Sequence, residues 1–228
     1  MNRIDRLQNN IRYSINYFKQ FRFKPIVISA GMPRSGSTLL FNCLRLLFLE
    51  KYGSKLSSGW IEETESFPNA TIYLIKTHHL NKIDLLRAKH TFYTYRDLRD
   101  AMVSKYRMFG TVPSIENVRY TVNQYNLAKS KADLIFKYED FVNDKNKMID
   151  QLSEILGISV DSSTILKSLP NPGRQNKINS LHDKETLLHE KHVTGTQKGE
   201  WKSILPKTLI DDINQEFGWW FKENGYDL

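Results

Sequence analysis

The stretch that decides the fold runs from Pro25 to Leu40 and reads PIVISAGMPRSGSTLL. Its first part, PIVISA, is a nearly continuous apolar run, which is typical of a central strand buried on both faces of a parallel sheet. A turn over Gly31–Thr38 follows, and Leu39–Glu50 then carries apolar residues at helical spacing. Strand, turn and helix in this order predict the opening unit of an α/β fold.

Short β-rich runs alternate with helical segments along the rest of the chain. The predicted strands after the first are Thr71–Ile75, Thr91–Tyr95 and Leu134–Tyr138. The predicted helices run from Asp97, a candidate N-cap, to about Met108, over Asp144–Leu156 and over Pro206–Asn224. This alternation predicts a three-layer α/β/α fold around a central, mainly parallel sheet.

Two segments stand outside this alternation. Residues 1–24 form an arm in which apolar residues recur every three or four positions, which predicts an amphipathic helix. The arm carries six basic residues and one acidic residue, so the helix either packs on its own domain with a solvated basic face or lies on an anionic membrane. Residues 170–200 begin with PNPG and lack periodicity, which predicts a lid-like excursion from a single domain over residues 25–228.

Composition narrows the class of protein and of partner. The chain has 228 residues, of which 40% are hydrophobic and 25% charged, which excludes a wholly disordered, collagen-like or coiled-coil chain. Its single cysteine, Cys43, excludes an internal disulfide framework, and the sequence has neither a signal-peptide pattern nor an apolar run of membrane-spanning length. We therefore expect a cytoplasmic protein, with the arm as its candidate membrane contact. The net charge of +8 indicates an anionic partner: nucleic acid, a membrane surface or a phosphate-bearing small molecule.

The turn after the first predicted strand has the features of a phosphate-binding loop. Gly31 and Gly36 are separated by four residues, as in the pattern G-x-x-x-x-G-K-[ST], so backbone amides at a helix N-terminus are expected to form an anion cradle. The lysine that an NTPase uses on its phosphates is replaced by Ser37, and a positive charge stands at Arg34 instead. The loop therefore indicates a ligand whose anhydride differs from that of a nucleoside triphosphate. A kinase or NTPase with a displaced cation is the alternative.

Within this loop, PRSGSTLL at residues 33–40 resembles the 5′-phosphosulfate loop of the sulfotransferases that use 3′-phosphoadenosine 5′-phosphosulfate (PAPS). The resemblance implies that the donor is held by consecutive loop residues, namely Arg34, Ser35, Gly36, Ser37 and Thr38. YRDLRDAMVS at residues 95–104 is similar to the 3′-phosphate motif of that family, which implies that Arg96 and Ser104 bind this phosphate. The alternative is that the charges of this stretch, Arg99 among them, form surface ion pairs.

KTHH at residues 76–79 is similar to the Lys-Thr-His segment of the same family. The resemblance implies that His78 is the general base and that Lys76 is the cation near the oxygen bridging sulfur and phosphorus. A histidine at the carboxyl end of a strand lies where α/β sheets bind ligands, and its ordinary pKa lets it accept a proton near neutral pH. His79 is the competing candidate.

Two later segments extend the resemblance. KYEDF at residues 137–141 resembles a Tyr-Glu-Asp segment in which the tyrosine, here Tyr138, lies near the nucleotide. HVTGTQKGEWK at residues 192–202 is similar to R-K-G-x-x-G-D-W-K, which closes on the 3′-phosphate and adenine, but Thr194 and Gly195 stand where the family has Arg-Lys. We therefore expect the 3′-phosphate to depend on Arg96, on the amides of residues 194–196 (Thr194, Gly195 and Thr196), and on Lys198.

The resemblance implies a sulfotransferase that transfers the sulfuryl group of PAPS to a hydroxyl or amine, releases 3′,5′-adenosine bisphosphate (PAP) and requires no metal. The small size favours a sugar, a polysaccharide end or a small polar metabolite as acceptor, while a phenol or lipid alcohol stays open. A nucleic-acid binder is the remaining alternative. We expect no nucleic-acid partner, because the excess charge is concentrated in the arm and no nucleic-acid-binding motif accompanies it.

Overall fold

The computed structural model describes Phe21 and residues 24–171, 182–189, 195 and 197–228. In these residues one parallel sheet is formed by β1 (Ile26–Gly31), β2 (Leu56–Trp60), β3 (Ile72–Thr77), β4 (His90–Tyr95) and β5 (Leu134–Lys137). The spatial order is β2-β3-β1-β4-β5, so the chain passes from one side of β1 to the other between β3 and β4. Such a reversal opens a crevice at the carboxyl ends of the strands.

Helices connect and flank these strands. They are α1 (Ser37–Tyr52), α2 (Lys82–Arg87), α3 (Leu98–Phe109), α4 (Ile115–Lys129), α5 (Tyr138–Asn143), α6 (Lys145–Leu156), α7 (Ser162–Ser168), α8 (Trp201–Ile204) and α9 (Lys207–Glu223). Two 3₁₀ segments, Gly53–Lys55 and Ile61–Ser66, flank β2.

The apolar core lies on both faces of the sheet. All six residues of β1 are buried, and alternate side chains of a strand face opposite sides of the sheet. Ile28 accordingly packs in a cluster with Trp220 of α9, whereas its neighbour Val27 packs in a second cluster with Leu44 of α1. These two clusters confirm the predicted three-layer α/β/α architecture.

The predicted elements correspond closely to the observed ones. Asp97 is the N-cap of α3, where its side chain accepts a hydrogen bond from the Arg99 amide at 2.9 Å. Gly157 ends α6 in the left-handed conformation, with φ 58°. The sequence analysis missed β2, because its sequence LSSGW has little β-propensity, and its register with β3 is what makes it a strand.

The predicted arm and lid are described only in part. Residues 1–20, on which the amphipathic helix was expected, lie outside the described residues. Phe21 is fully buried, with its ring centroid 4.6 Å from that of Tyr73, and its carbonyl accepts a hydrogen bond from Arg87 at 3.2 Å. The end of the arm is therefore packed on the domain. None of the described helices combines the length and apolar character that crossing a membrane requires.

Candidate functional site

The loop between β1 and α1 is held by the side chain of Ser35. The Ser35 hydroxyl is fully buried and lies 2.7 Å from the Met32 carbonyl oxygen and 2.7 Å from the Thr94 hydroxyl. It thus joins the loop to β4. The same crowding explains Gly31, where a Cβ would meet the Thr94 hydroxyl oxygen at 2.2 Å.

Gly36 and Arg34 adopt left-handed backbone conformations in this loop. Gly36 has φ 78°, and a Cβ on it would lie 2.6 Å from a ring carbon of Phe141. Arg34 has φ 69°, a conformation that costs a non-glycine residue about 1–3 kcal/mol and that clusters at functional sites. Its Nε donates to the Ser104 hydroxyl at 2.9 Å, which ties the loop to α3.

The amino end of α1 presents groups that are suited to bind an anion. Ser37 and Thr38 are buried in the first turn, and no described side chain caps the helix. Amides of a first helical turn have no partner within the helix, and the helix dipole favours negative charge there. With the glycine cradle beside them, these amides fit a phosphate group.

Lys76 supplies a cation to the same point from the end of β3. Its side chain is 1% exposed, its ammonium donates to the Thr38 hydroxyl, and it lies 4.5 Å from the centre of the Trp60 ring. Burial, assisted by the charge of Arg34, lowers the pKa of Lys76 to about 7. The lysine that the loop lacks at position 37 therefore has a counterpart from a neighbouring strand.

His78 and His79 have different surroundings. His78 Nδ1 lies 2.7 Å from the Gly31 carbonyl oxygen, so this nitrogen carries the proton and Nε2 is left as an acceptor. Burial first, and then the charge of Lys76, lower the pKa of His78 to about 3, so the ordinary pKa assumed from the sequence is wrong for this site and the ring is neutral. His79 is exposed, and its Nδ1 forms a hydrogen bond with the hydroxyl of Tyr120.

Arg96 and Ser104 lie on the other side of the loop. Arg96 follows β4, is 5% exposed, and stacks its guanidinium 4.4 Å from the centre of the Tyr138 ring. Ser104 is buried on α3 and contacts Arg34. The charge of Arg96 is one of the causes, after burial, that lower the pKa of Arg34. The structure thus brings Arg34, predicted to bind the phosphosulfate end of the donor, close to Arg96 and Ser104, predicted to bind the 3′-phosphate.

The predicted carboxy-terminal segment docks on α3 through a residue that the sequence analysis did not single out. The fully buried carboxylate of Asp100 accepts hydrogen bonds from the amides of Gly199, at 2.8 Å, and Trp201, at 3.4 Å. Burial raises the pKa of Asp100. Of the predicted residues of this segment, Gly195 and Lys198 are exposed, while Thr194 and Thr196 lie outside the described residues.

Arg99 is not in the surface ion pair that the alternative reading expected. It is 1% exposed and forms a bidentate pair with Asp97, at 3.0 and 2.8 Å. Its guanidinium lies 3.7 Å from the Trp201 ring centre and 4.1 Å from that of Phe221. This buried pair ties α3 to the carboxy-terminal helices.

A cavity of about 370 Å³ lies beside His78. Its lining consists of aromatic, acidic and imidazole side chains, namely Trp60, Glu62, Glu63, His78, His79 and His182. In the described part of the chain no three His, Cys, Asp or Glu side chains are grouped as a metal site would need.

The segment 182–189, which was assigned from the sequence to the lid without a role, contributes His182 to the lining of this cavity. It is anchored on α1, where Arg45 pairs with Glu185 and the Asn42 amide donates to the Thr186 carbonyl at 2.8 Å. Leu187 is buried in the core at φ 56°. Because these contacts span some 140 residues of sequence, no local pattern could have revealed them.

Comparison with known proteins adds information at the level of the fold. No protein-family model matches the chain, and no curated protein matches it either. Among solved structures, it is similar to mouse sulfotransferase SULT7A1 complexed with PAP, with a TM-score of 0.61 and 16% identity over 85% of this chain and 83% of that one.

Retinol dehydratase is similar as well, in two complexes. That with retinol and PAP has a TM-score of 0.60 and 14% identity over 95% of this chain and 87% of the other. That with androsterone and the inactive cofactor PAP has a TM-score of 0.60 and 15% identity over 95% and 86%. The chain therefore has the sulfotransferase fold that the sequence resemblance implied.

Proposed function

We propose that this protein is a sulfotransferase that transfers the sulfuryl group of PAPS to a hydroxyl or amine of its acceptor and releases PAP. The observation that carries the proposal is the position of His78. This neutral imidazole lines the cavity and is hydrogen-bonded to the last residue of β1, directly before the loop that carries Arg34 and contacts Lys76. The proposed base, the proposed phosphate-binding loop and the proposed acceptor cavity are thus adjacent.

The residues of the loop fit the phosphosulfate end of the donor. Amides of Ser37 and Thr38 would bind phosphate oxygens, and Arg34 and Lys76 would supply compensating charge. At the other end, Arg96 and Ser104 would bind the 3′-phosphate, with Tyr138 stacked on Arg96. When bound, PAPS supplies an activated sulfuryl group on a good leaving phosphate.

His78 would act as the general base in this reaction. Its Nε2 accepts the acceptor proton as the bond from acceptor oxygen or nitrogen to sulfur forms and the bond from sulfur to the bridging oxygen breaks. Negative charge then grows on the departing phosphate oxygen. Lys76, Arg34 and the first-turn amides are fixed in advance around the position of that charge, so they stabilise it without reorganisation.

The acceptor is proposed to be a sugar, a polysaccharide end or a small polar metabolite. Support comes from the cavity, whose lining includes the carboxylates Glu62 and Glu63 and the ring of Trp60. We further propose a cytoplasmic location, which is consistent with a single, fully buried cysteine, Cys43.

The arm is a candidate membrane contact, and the structure suggests how to test it. A deletion of residues 1–20 leaves the buried Phe21 in the core. Loss of binding to anionic vesicles with unchanged unfolding temperature would support the membrane role. Unchanged vesicle binding, or none by the full chain, would reject it.

The proposed function is tested with radiolabelled PAPS offered together with a panel of hydroxyl and amine acceptors. Calorimetry provides the second readout, comparing PAP with AMP, which lacks the 3′-phosphate. PAP should bind at least about tenfold more tightly, because a charge-assisted contact contributes about 1.5–3 kcal/mol. Arg96→Ala and Ser104→Ala should reduce this preference. Equal binding of PAP and AMP, or magnesium-dependent ATP hydrolysis without sulfuryl transfer, would favour the kinase or NTPase alternative.

A further inference from the structure

The acceptor cavity differs in charge from the rest of the molecule. The chain has a net charge of +8, yet two adjacent carboxylates, Glu62 and Glu63, line the cavity next to His78. Both belong to the 3₁₀ segment Ile61–Ser66, directly after β2. The cavity in which an acceptor would meet the proposed base is therefore lined by two carboxylates.

The 3₁₀ segment Ile61–Ser66, which carries these carboxylates, is held by local contacts. The Thr64 hydroxyl donates to the Ile61 carbonyl at 2.9 Å, and the Ser66 hydroxyl donates to the Glu63 carbonyl at 2.7 Å. Phe67 covers Gly59 so closely that a Cβ on this glycine would lie 2.8 Å from the Phe67 ring. The carboxylates consequently project from a fixed wall.

Glu63 also links the 3₁₀ segment Ile61–Ser66 to the segment 182–189. Its Oε1 lies 3.2 Å from Nε2 of His182, and the side chains are 41% and 25% exposed, respectively. His182 belongs to the segment 182–189, which is anchored on α1 through Asn42 and Arg45. Glu63 is therefore both oriented by a partner and accessible to a ligand.

The charge of the acceptor follows from what surrounds it once the donor is bound. The lysines that act on His78 are Lys76 and Lys105, and the phosphate groups of a donor would compensate Lys76, which has the larger effect. The carboxylates of Glu62 and Glu63 then dominate the acceptor side. Carboxylates accept hydrogen bonds from hydroxyl and ammonium groups and repel anions.

We propose that Glu63, oriented by His182, is a specificity-determining residue that selects a sugar acceptor without negative charge. This inference rests on the proposed function. In the complex with acceptor, Glu63 accepts hydrogen bonds from a hydroxyl or ammonium group of the acceptor. A carboxylated sugar is rejected by repulsion from Glu62 and Glu63. His182 is a positioning residue, because it acts through Glu63.

The test compares three sugars with the same ring and different charge: glucose, glucosamine and glucuronate. With labelled PAPS, wild-type kcat/KM should be at least about tenfold lower for glucuronate than for the other two, a factor equivalent to about 1.4 kcal/mol. Glu63→Gln should reduce that difference, because it raises KM for glucose and glucosamine and lowers KM for glucuronate, with little change in kcat. His182→Ala should raise the same KM values less strongly, with PAP affinity unchanged.

Glu116→Gln is the matched control, since it makes the same charge change on the exposed face of α4 and should leave the discrimination intact. Unchanged discrimination in Glu63→Gln would overturn the proposal. Transfer to apolar alcohols but to none of the three sugars would overturn it too, while leaving the proposed function standing. Absence of PAP binding in calorimetry would instead contradict the proposed function itself.

Discussion

The two ends of the proposed nucleotide site are built in different ways. At the phosphate-loop end, the binding groups are consecutive residues, Gly31–Thr38, whose backbone conformation is set by two glycines and by Ser35. At the 3′-phosphate end, Arg96 and Ser104 come from separate elements, and the carboxy-terminal segment is joined to them by Asp100 across about 100 residues of sequence.

This difference shows two ways of holding an anion. The loop end relies on backbone amides and a helix terminus, so its shape is sensitive to any added atom. The other end relies on buried charged side chains, such as the pair Asp97–Arg99, so its integrity is sensitive to the loss of a partner.

The proposed sulfuryl transfer takes place at the loop end, so the largest effect is expected from His78→Ala. Turnover should fall about 10²- to 10⁴-fold, as on loss of a general base, while PAP affinity changes little. Because the pKa of His78 is about 3, the wild-type rate should show no loss between pH 8 and 5 due to this group. The assay with labelled PAPS measures the turnover and its dependence on pH.

His79→Ala is the control for this variant, because His79 is exposed and bonded to Tyr120. Near wild-type turnover in His78→Ala, or an equal loss in His79→Ala, would remove His78 from its proposed role.

Stability at the 3′-phosphate end is tested by Asp97→Asn, which keeps a capping side chain but leaves the guanidinium of Arg99 buried without its carboxylate. We expect a loss of about 3–5 kcal/mol in the free energy of unfolding, measured by denaturant titration. Arg119→Gln breaks an exposed pair with Glu216 and should change stability little. Similar effects of the two variants would contradict the role assigned to the buried pair.

The backbone of the loop end is tested by Gly36→Ala. The added methyl would clash with Phe141 at 2.6 Å and force a non-glycine residue to φ 78°. We expect a loss of about 1–3 kcal/mol in stability together with weaker PAP binding. The matched change Gly218→Ala lies in α9 with its nearest neighbour at 3.7 Å, so it should leave stability equal or slightly higher. Unchanged stability and PAP binding in Gly36→Ala would contradict the close approach of Gly36 and Phe141.

The smallest effect is expected for the uptake of a proton by Lys76 when PAP binds. The pKa of Lys76 is about 7 without ligand, and a bound phosphate favours the charged form and raises it. Above pH 7, PAP binding should therefore take up a proton, and affinity should fall by up to about tenfold per pH unit. Calorimetry in buffers of different ionisation enthalpy measures this uptake. Lys76→Met should abolish it, and an uptake that persists would assign the proton to another group.

Local patterns were sufficient for some of these features. Continuous apolar strands, the glycine spacing of the loop and the N-cap Asp97 are encoded within a few residues, and the structure has them where the sequence predicted. β2 was missed, since a strand of Ser and Gly depends on pairing with β3. Arg99 was misread, because its charge pattern does not reveal that Trp201 and Phe221 cover it.

The sequence by itself therefore determined the α/β class and the glycine turn after the first strand, because these depend on periodicity and on glycine conformation, and its resemblance to a known family supplied the candidate base. Only the tertiary structure decided the partners: Arg34 with Ser104, Asp100 with Gly199, and Glu63 with His182. These contacts join residues some 70 to 120 positions apart. They form because packing on both faces of the sheet brings distant elements together, and that arrangement is a property of the whole chain.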